Sequence, residues 1–125
     1  MMETRKPVKI TVGVIEVEGW LNETDTASKV LESLPITGTV NLWGDEIYFS
    51  IPVEAGLENA RETVSLGDIA YWPQGKAMCI FLGKTPVSRG DEIRPISPVN
   101  ILGGIEGVEK LLGKVEQGET ITVRR

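Results

Sequence analysis

Short runs in which apolar residues take every second position, each closed by glycine, proline or aspartate, recur along this chain and restrict it to a sheet-built fold. The first run spaces Val8, Ile10, Val12 and Val14 with polar or small residues, and Val17 follows. It predicts one long half-buried strand ending near Gly19. From Gly38 the same period returns in Thr39 to Trp43, and a Gly44-Asp45 turn leads into Glu46 to Ile51, so these two segments read as a hairpin. The second strand of the hairpin sets Ile47, Phe49 and Ile51 on one face and Glu46, Tyr48 and Ser50 on the other. The first face belongs in a core; the second is free to line a site.

Further along, Leu66-Gly67-Asp68 precedes Ile69 to Trp72, and Pro73-Gln74-Gly75-Lys76 reverses the chain. Ala77 to Leu82 is then an almost continuous apolar run, which predicts a central strand covered on both faces. Gly83 to Pro98 holds three prolines and little periodicity, so it reads as a long connection with an extended piece from Glu92 to Ile96. Val99 to Leu102 is another strand, Gly103-Gly104 a place for the backbone to bend, and Thr120 to Val123 the last strand. Helical spacing is confined to two places. Thr24-Asp25-Thr26 offers N-caps to Ala27, Val30, Leu31 and Leu34, predicting a helix over 25–34 that Pro35 closes. Val108, Leu111 and Leu112 suggest a second, shorter one, and Pro52 to Glu62 reads as a loop with one helical turn.

Seven or eight strands with two short helices favour a closed barrel or a sandwich. The barrel is preferred because closure hides sheet edges, and the glycines at 13, 67, 83, 103 and 104 suit strongly coiled strands. At 125 residues the chain is expected to form a single domain, 1–125, with a core that needs no disulfide or metal. Its net charge of −5 opposes binding to nucleic acid or an anionic membrane, and no run is long enough to span a bilayer. One cysteine cannot form an internal disulfide, and the opening from Met1 to Lys6 is polar, so the cytoplasm is the expected compartment. Histidine is absent, which excludes Ser-His-Asp and Cys-His catalysis within one chain. No cofactor or metal site is expected: the pairs Asp45-Glu46 and Asp91-Glu92 read as hydrated turn carboxylates.

Three blocks carry a resemblance: Trp43-Gly44-Asp45-Glu46-Ile47-Tyr48-Phe49, Gly67-Asp68-Ile69-Ala70-Tyr71-Trp72-Pro73-Gln74-Gly75, and Cys79-Ile80-Phe81-Leu82-Gly83-Lys84-Thr85-Pro86. Together they resemble the small prokaryotic cyclophilin-like proteins, from about Ile10 to Val123. The resemblance implies a closed antiparallel barrel of about eight strands capped by two short helices. True cyclophilins twist X-Pro bonds with an arginine on a barrel strand, an aromatic and apolar pocket, a glutamine and a histidine. The comparable strand here, Glu46 to Ile51, has no arginine, the histidine is missing, and Met78 and Ile80 stand where glutamine and phenylalanine are expected. The resemblance thus argues for the barrel and against the usual isomerase activity.

Glu46, Tyr48 and Trp72 are the candidate ligand-binding residues, two rings giving an apolar floor and a carboxylate orienting a polar group. Arg94 joins them as a guanidinium that stiff proline-flanked chain could hold over a cleft. Cys79, in an apolar strand, is expected to pack as a small hydrophobe. The resulting expectation is a module that binds a peptide or small molecule. An atypical proline isomerase is the first alternative, and an oligomerising domain of a larger assembly the second.

Overall fold

In the computed structural model, which describes residues 5–125, the first alternating run breaks phase at Gly13. Lys6–Val12 (β1) and Ile15–Leu21 (β2) form an antiparallel hairpin, with Val12 opposite Ile15, in place of the single strand expected from the sequence. Even-numbered residues face the core before the turn and odd-numbered ones after it: Val8, Ile10 and Val12, then Val17 and Leu21. Gly13 supplies the positive φ of 59° that the turn requires, and Val14 is left 99% exposed at its tip. Met1 to Thr4, part of the polar opening behind the cytoplasmic expectation, lie outside the described residues.

The helix follows its caps. Thr24 accepts a hydrogen bond from the Ala27 N–H, α1 runs over Asp25–Ser33, and Leu34 before Pro35 is already extended. Beyond it the expected strand of Thr39 to Trp43 is two shorter ones, Ile36–Thr39 (β3) and Asn41–Trp43 (β4), meeting at the buried Val40. The remaining strands are Glu46–Ser50 (β5), Asp68–Trp72 (β6), Ala77–Phe81 (β7), Asn100–Ile105 (β8) and Thr120–Arg124 (β9). A 3-10 turn at Pro73–Gly75 joins β6 to β7, and a four-residue helix α2, Val108–Leu111, precedes β9.

The nine strands of the described residues belong to one antiparallel sheet in the order β3-β9-β1-β2-β8-β6-β7-β5-β4. Its two ends, β3 and β4, are consecutive in the chain, so the sheet curls into a nearly closed barrel that is sealed covalently at Val40. Hydrogen bonds of 2.8 Å from the Val40 N–H to Glu119 and 2.9 Å from the Gly118 N–H to Val40 tie the junction to the start of β9. The interior is filled by alternate residues of every long strand, among them Ile10, Ile47, Phe49, Ile80, Leu102 and Ile121.

Two further expectations change. Gly103 and Gly104 do not end a strand; they lie inside β8, with a bulge beside them where the β6 register shifts between Ile69 and Ala70. A side chain at Gly103 would overlap the Trp20 carbonyl of β2, so glycine is there for close approach of two backbones. The segment 52–62 contains no helical turn. It is pinned instead by the buried Tyr71 hydroxyl, which donates to the Val53 carbonyl at 2.6 Å, and by Asn100, which donates to Gly56 and accepts from the Glu58 N–H. No helix among the described residues is long and apolar enough to cross a membrane.

Candidate functional site

Strand β7 lies between β5 and β6, and its alternation decides what covers the outside of the barrel. Met78 and Ile80 point into the interior core, while Ala77, Cys79 and Phe81 point outward and are buried as well. The expected central strand covered on both faces is present. Cys79 and Phe81, with Ala70 of β6, form a second, smaller core with Ile93 and Val99. Ile93 comes from the long connection and Val99 from the residue between it and β8, and this stretch folds back over the outer face. Arg61–Val99 and Val64–Ile93 bridges hold it there; of the extended piece expected from Glu92 to Ile96, only Ile93 pairs. Inside the connection Thr85 donates to the Arg94 carbonyl, and Ser88 Oγ accepts from the Thr85 and Arg94 N–H groups at 3.0 and 3.1 Å.

Between this connection and the barrel wall is a hollow of about 190 Å³. Strand β5 turns Glu46 and Tyr48 toward it, β6 contributes Trp72, β4 contributes Trp43, and β7 contributes Cys79 beneath. Pro95, Ile96 and Val99 close the opposite side. The two faces assigned to Glu46–Ile51 from its period of two are therefore as expected: Ile47, Phe49 and Ile51 are buried in the core, and Glu46 and Tyr48 line the hollow. Tyr48 and Trp72 meet edge to face at 6.4 Å, and the Trp72 indole N–H donates to Ser97 Oγ at 2.7 Å, fixing that ring.

Glu46 is the unusual member. It is 5% exposed, flanked in register by Trp43 on β4 and Phe81 on β7, and its Oε1 has no hydrogen-bond partner. Burial among these apolar neighbours raises its pKa from 4.5 to about 7, and a hydrogen bond with the Cys79 thiol lowers it only in part. Burial, reinforced by the Glu46 charge beside it, pushes the Cys79 thiol well above its ordinary value, so Cys79 packs as an inert apolar residue.

Of the four candidate residues, the structure brings together Glu46, Tyr48 and Trp72. Arg94 lies apart, on a neighbouring hollow with Glu62 and Val87. Its guanidinium is engaged by Glu92 through bonds of 2.6 and 3.2 Å, which holds the Glu92 carboxyl low and the Arg94 guanidinium high. Trp43, Pro95, Ile96 and Val99 were not among the candidates. Trp43 had a signal, since its hairpin partner is Glu46. Pro95 and Ile96 lie in the sixteen-residue connection and Val99 directly follows it, so their placement depends on how that connection folds back, which no local pattern encodes. Among the described residues, no group of three or more Asp, Glu, Cys or His side chains is placed to hold a metal ion.

A family model described as cyclophilin-like matches residues 6–124. The chain belongs to the cyclophilin-like family. The solution structure of a hypothetical protein from Archaeoglobus fulgidus is similar to it at 41% identity, covering 99% of this chain and 97% of that one with a TM-score of 0.80. McbB in complex with tryptophan shares the fold at 15% identity and a TM-score of 0.66, over 94% of this chain and 44% of that one. No curated protein matches. Within this cyclophilin-like barrel, Met78 and Ile80, the positions set against catalytic ones by resemblance, face the interior and take no part in the hollow.

Proposed function

We propose that this cyclophilin-like chain is a binding module that holds a small ligand, or one side chain of a peptide, in the outer-face hollow. The observation that carries the reading is Glu46: a carboxyl group 5% exposed with an oxygen left unpartnered. Leaving a buried polar atom unpaired costs about 1–3 kcal/mol, and such atoms are rare in native folds. A bound polar group offsets that cost. The rigid rings around it supply apolar contact area at little cost in conformational entropy.

Among the described residues arginine, histidine and glutamine, the polar machinery of proline isomerisation, are missing from the hollow, which favours binding without turnover. Titration of X-Pro tetrapeptides and small aromatic fragments, followed by Trp43 and Trp72 fluorescence or amide shifts, tests it. Saturable changes that vanish in Trp72→Ala are expected, with isomerisation rates equal to the uncatalysed background. A rate above background that Glu46→Gln abolishes would replace this reading with an atypical isomerase.

A further inference from the structure

Glu46, buried and with its Oε1 unpartnered, lines the hollow together with Trp43, Tyr48 and Trp72, and that coincidence selects among ligand charges. An anion finds no support there. Among the described residues no lysine, arginine or histidine lines the hollow, and Arg94, on the neighbouring one, is held by Glu92. A neutral apolar molecule would fill the space but leave Glu46 either protonated or unpaired. A protonated amine does three things at once. Its N–H satisfies Oε1, its charge cancels that of the carboxylate in a place where water is scarce, and its body rests against aromatic faces that attract cations.

We infer that the hollow takes a primary or secondary ammonium carried on a compact apolar body, with Glu46 as its counter-ion and Trp43, Tyr48 and Trp72 as its walls. The inference rests on the binding reading above and names the ligand class for the same site. Size supports it: about 190 Å³ compares with about 150 Å³ for a protein cavity that accepts benzene, leaving room for one ring or branched alkyl group and its amine. An aralkylamine fits these limits, and so does a lysine side chain presented by a peptide.

Ionisation of the site follows from its neighbours. The titratable groups facing Glu46 are the Cys79 thiol from β7 and the Tyr48 phenol on its own strand; Trp43, Trp72 and the Pro95, Ile96 and Val99 side carry none. The Glu46 carboxyl, with its pKa near 7 when alone, must ionise to pair with a cation. Binding therefore releases a proton from Glu46, and affinity rises with pH through neutrality.

The test uses the full chain with benzylamine and benzyl alcohol, equal in shape and differing in charge, titrated at pH 6 and pH 8. Benzylamine is expected to bind about tenfold or more tightly than the alcohol at pH 8, with a smaller preference at pH 6. Glu46→Gln should lose the preference, amine and alcohol then binding about equally; its folding is checked by circular dichroism. Nα-acetyl-lysine amide separates the two sources: tighter binding than benzylamine assigns the ammonium to a peptide lysine, weaker binding to a free amine. Equal affinity for amine and alcohol, or a preference that survives Glu46→Gln, overturns the ammonium inference and leaves the binding reading standing. No saturable response to any probe overturns both.

Discussion

Tyr48 and Trp72 stand on strands that flank β7 on opposite sides, yet their rings meet at 6.4 Å and 85° across the outer face. The contact is possible because the β7 residues between them are small: Tyr48 pairs with Cys79, and Trp72 pairs with Ala77. A leucine or phenylalanine at either β7 position would fill the space the rings lean into. The aromatic wall of the hollow is thus set by two small side chains on the strand below it.

The ring contact should appear as a coupling. Tyr48→Ala, Trp72→Ala and the double variant, compared by urea unfolding, are expected to show an interaction energy of about 0.5–1.5 kcal/mol. Strictly additive losses would mean that the edge-to-face pair contributes nothing beyond burial.

Burial of Glu46 makes stability depend on pH in a definite direction. Its folded pKa, about 7, lies above the unfolded 4.5, so the folded chain holds the extra proton between these values. The favourable contribution is complete below pH 4.5, falls as pH rises through 7, and is lost above it. Glu46→Gln should therefore resemble the parent near pH 4.5 and exceed it by on the order of 3 kcal/mol at pH 8. Thermal melts of both proteins across this range check it; parallel curves would contradict the assignment.

Arg94 provides the contrasting case. Its guanidinium is taken up by Glu92 and lines a different hollow, so Arg94→Ala should change benzylamine affinity by less than about twofold. A larger loss would place Arg94 in the binding site after all.

Gly103 tests the barrel itself. A methyl group there would meet the Trp20 carbonyl and the Leu21 backbone on β2, which cannot move without breaking the β2–β8 pairing. Gly103→Ala is expected to cost about 3 kcal/mol or more, or to prevent folding, as read from denaturant midpoints. Gly113→Ala is a comparison with open space around the new Cβ but a φ of 75°, so its cost should be smaller and due to the backbone alone.

These features differ in how visible they are before folding. The two faces of β5 and the doubly covered β7 were legible because each strand's period records which of its own sides is apolar. The hairpin at Gly13 was missed because Val14 extends the first run by one apolar residue, though it is exposed at the turn; the switch from even to odd positions was the available signal. The break at Val40 was missed for another reason. Both halves keep the same period while pairing with different partners, β9 and β5, and pairing is not written into periodicity. In the site, Glu46, Tyr48 and Trp72 could be chosen from strand faces. The engagement of Arg94 by Glu92 and the position of Pro95, Ile96 and Val99 arise from the return of a long loop, where side-chain direction follows no regular rule.

Glu46 carries the binding site only if it is a buried carboxyl held for a ligand. Carbon-detected NMR titration of its side-chain carboxyl measures this directly, first in the free protein and then saturated with benzylamine. A midpoint near 7 that moves down when the amine binds is the predicted result. A midpoint near the ordinary 4.5 in the free protein, or one that benzylamine does not shift, would contradict it.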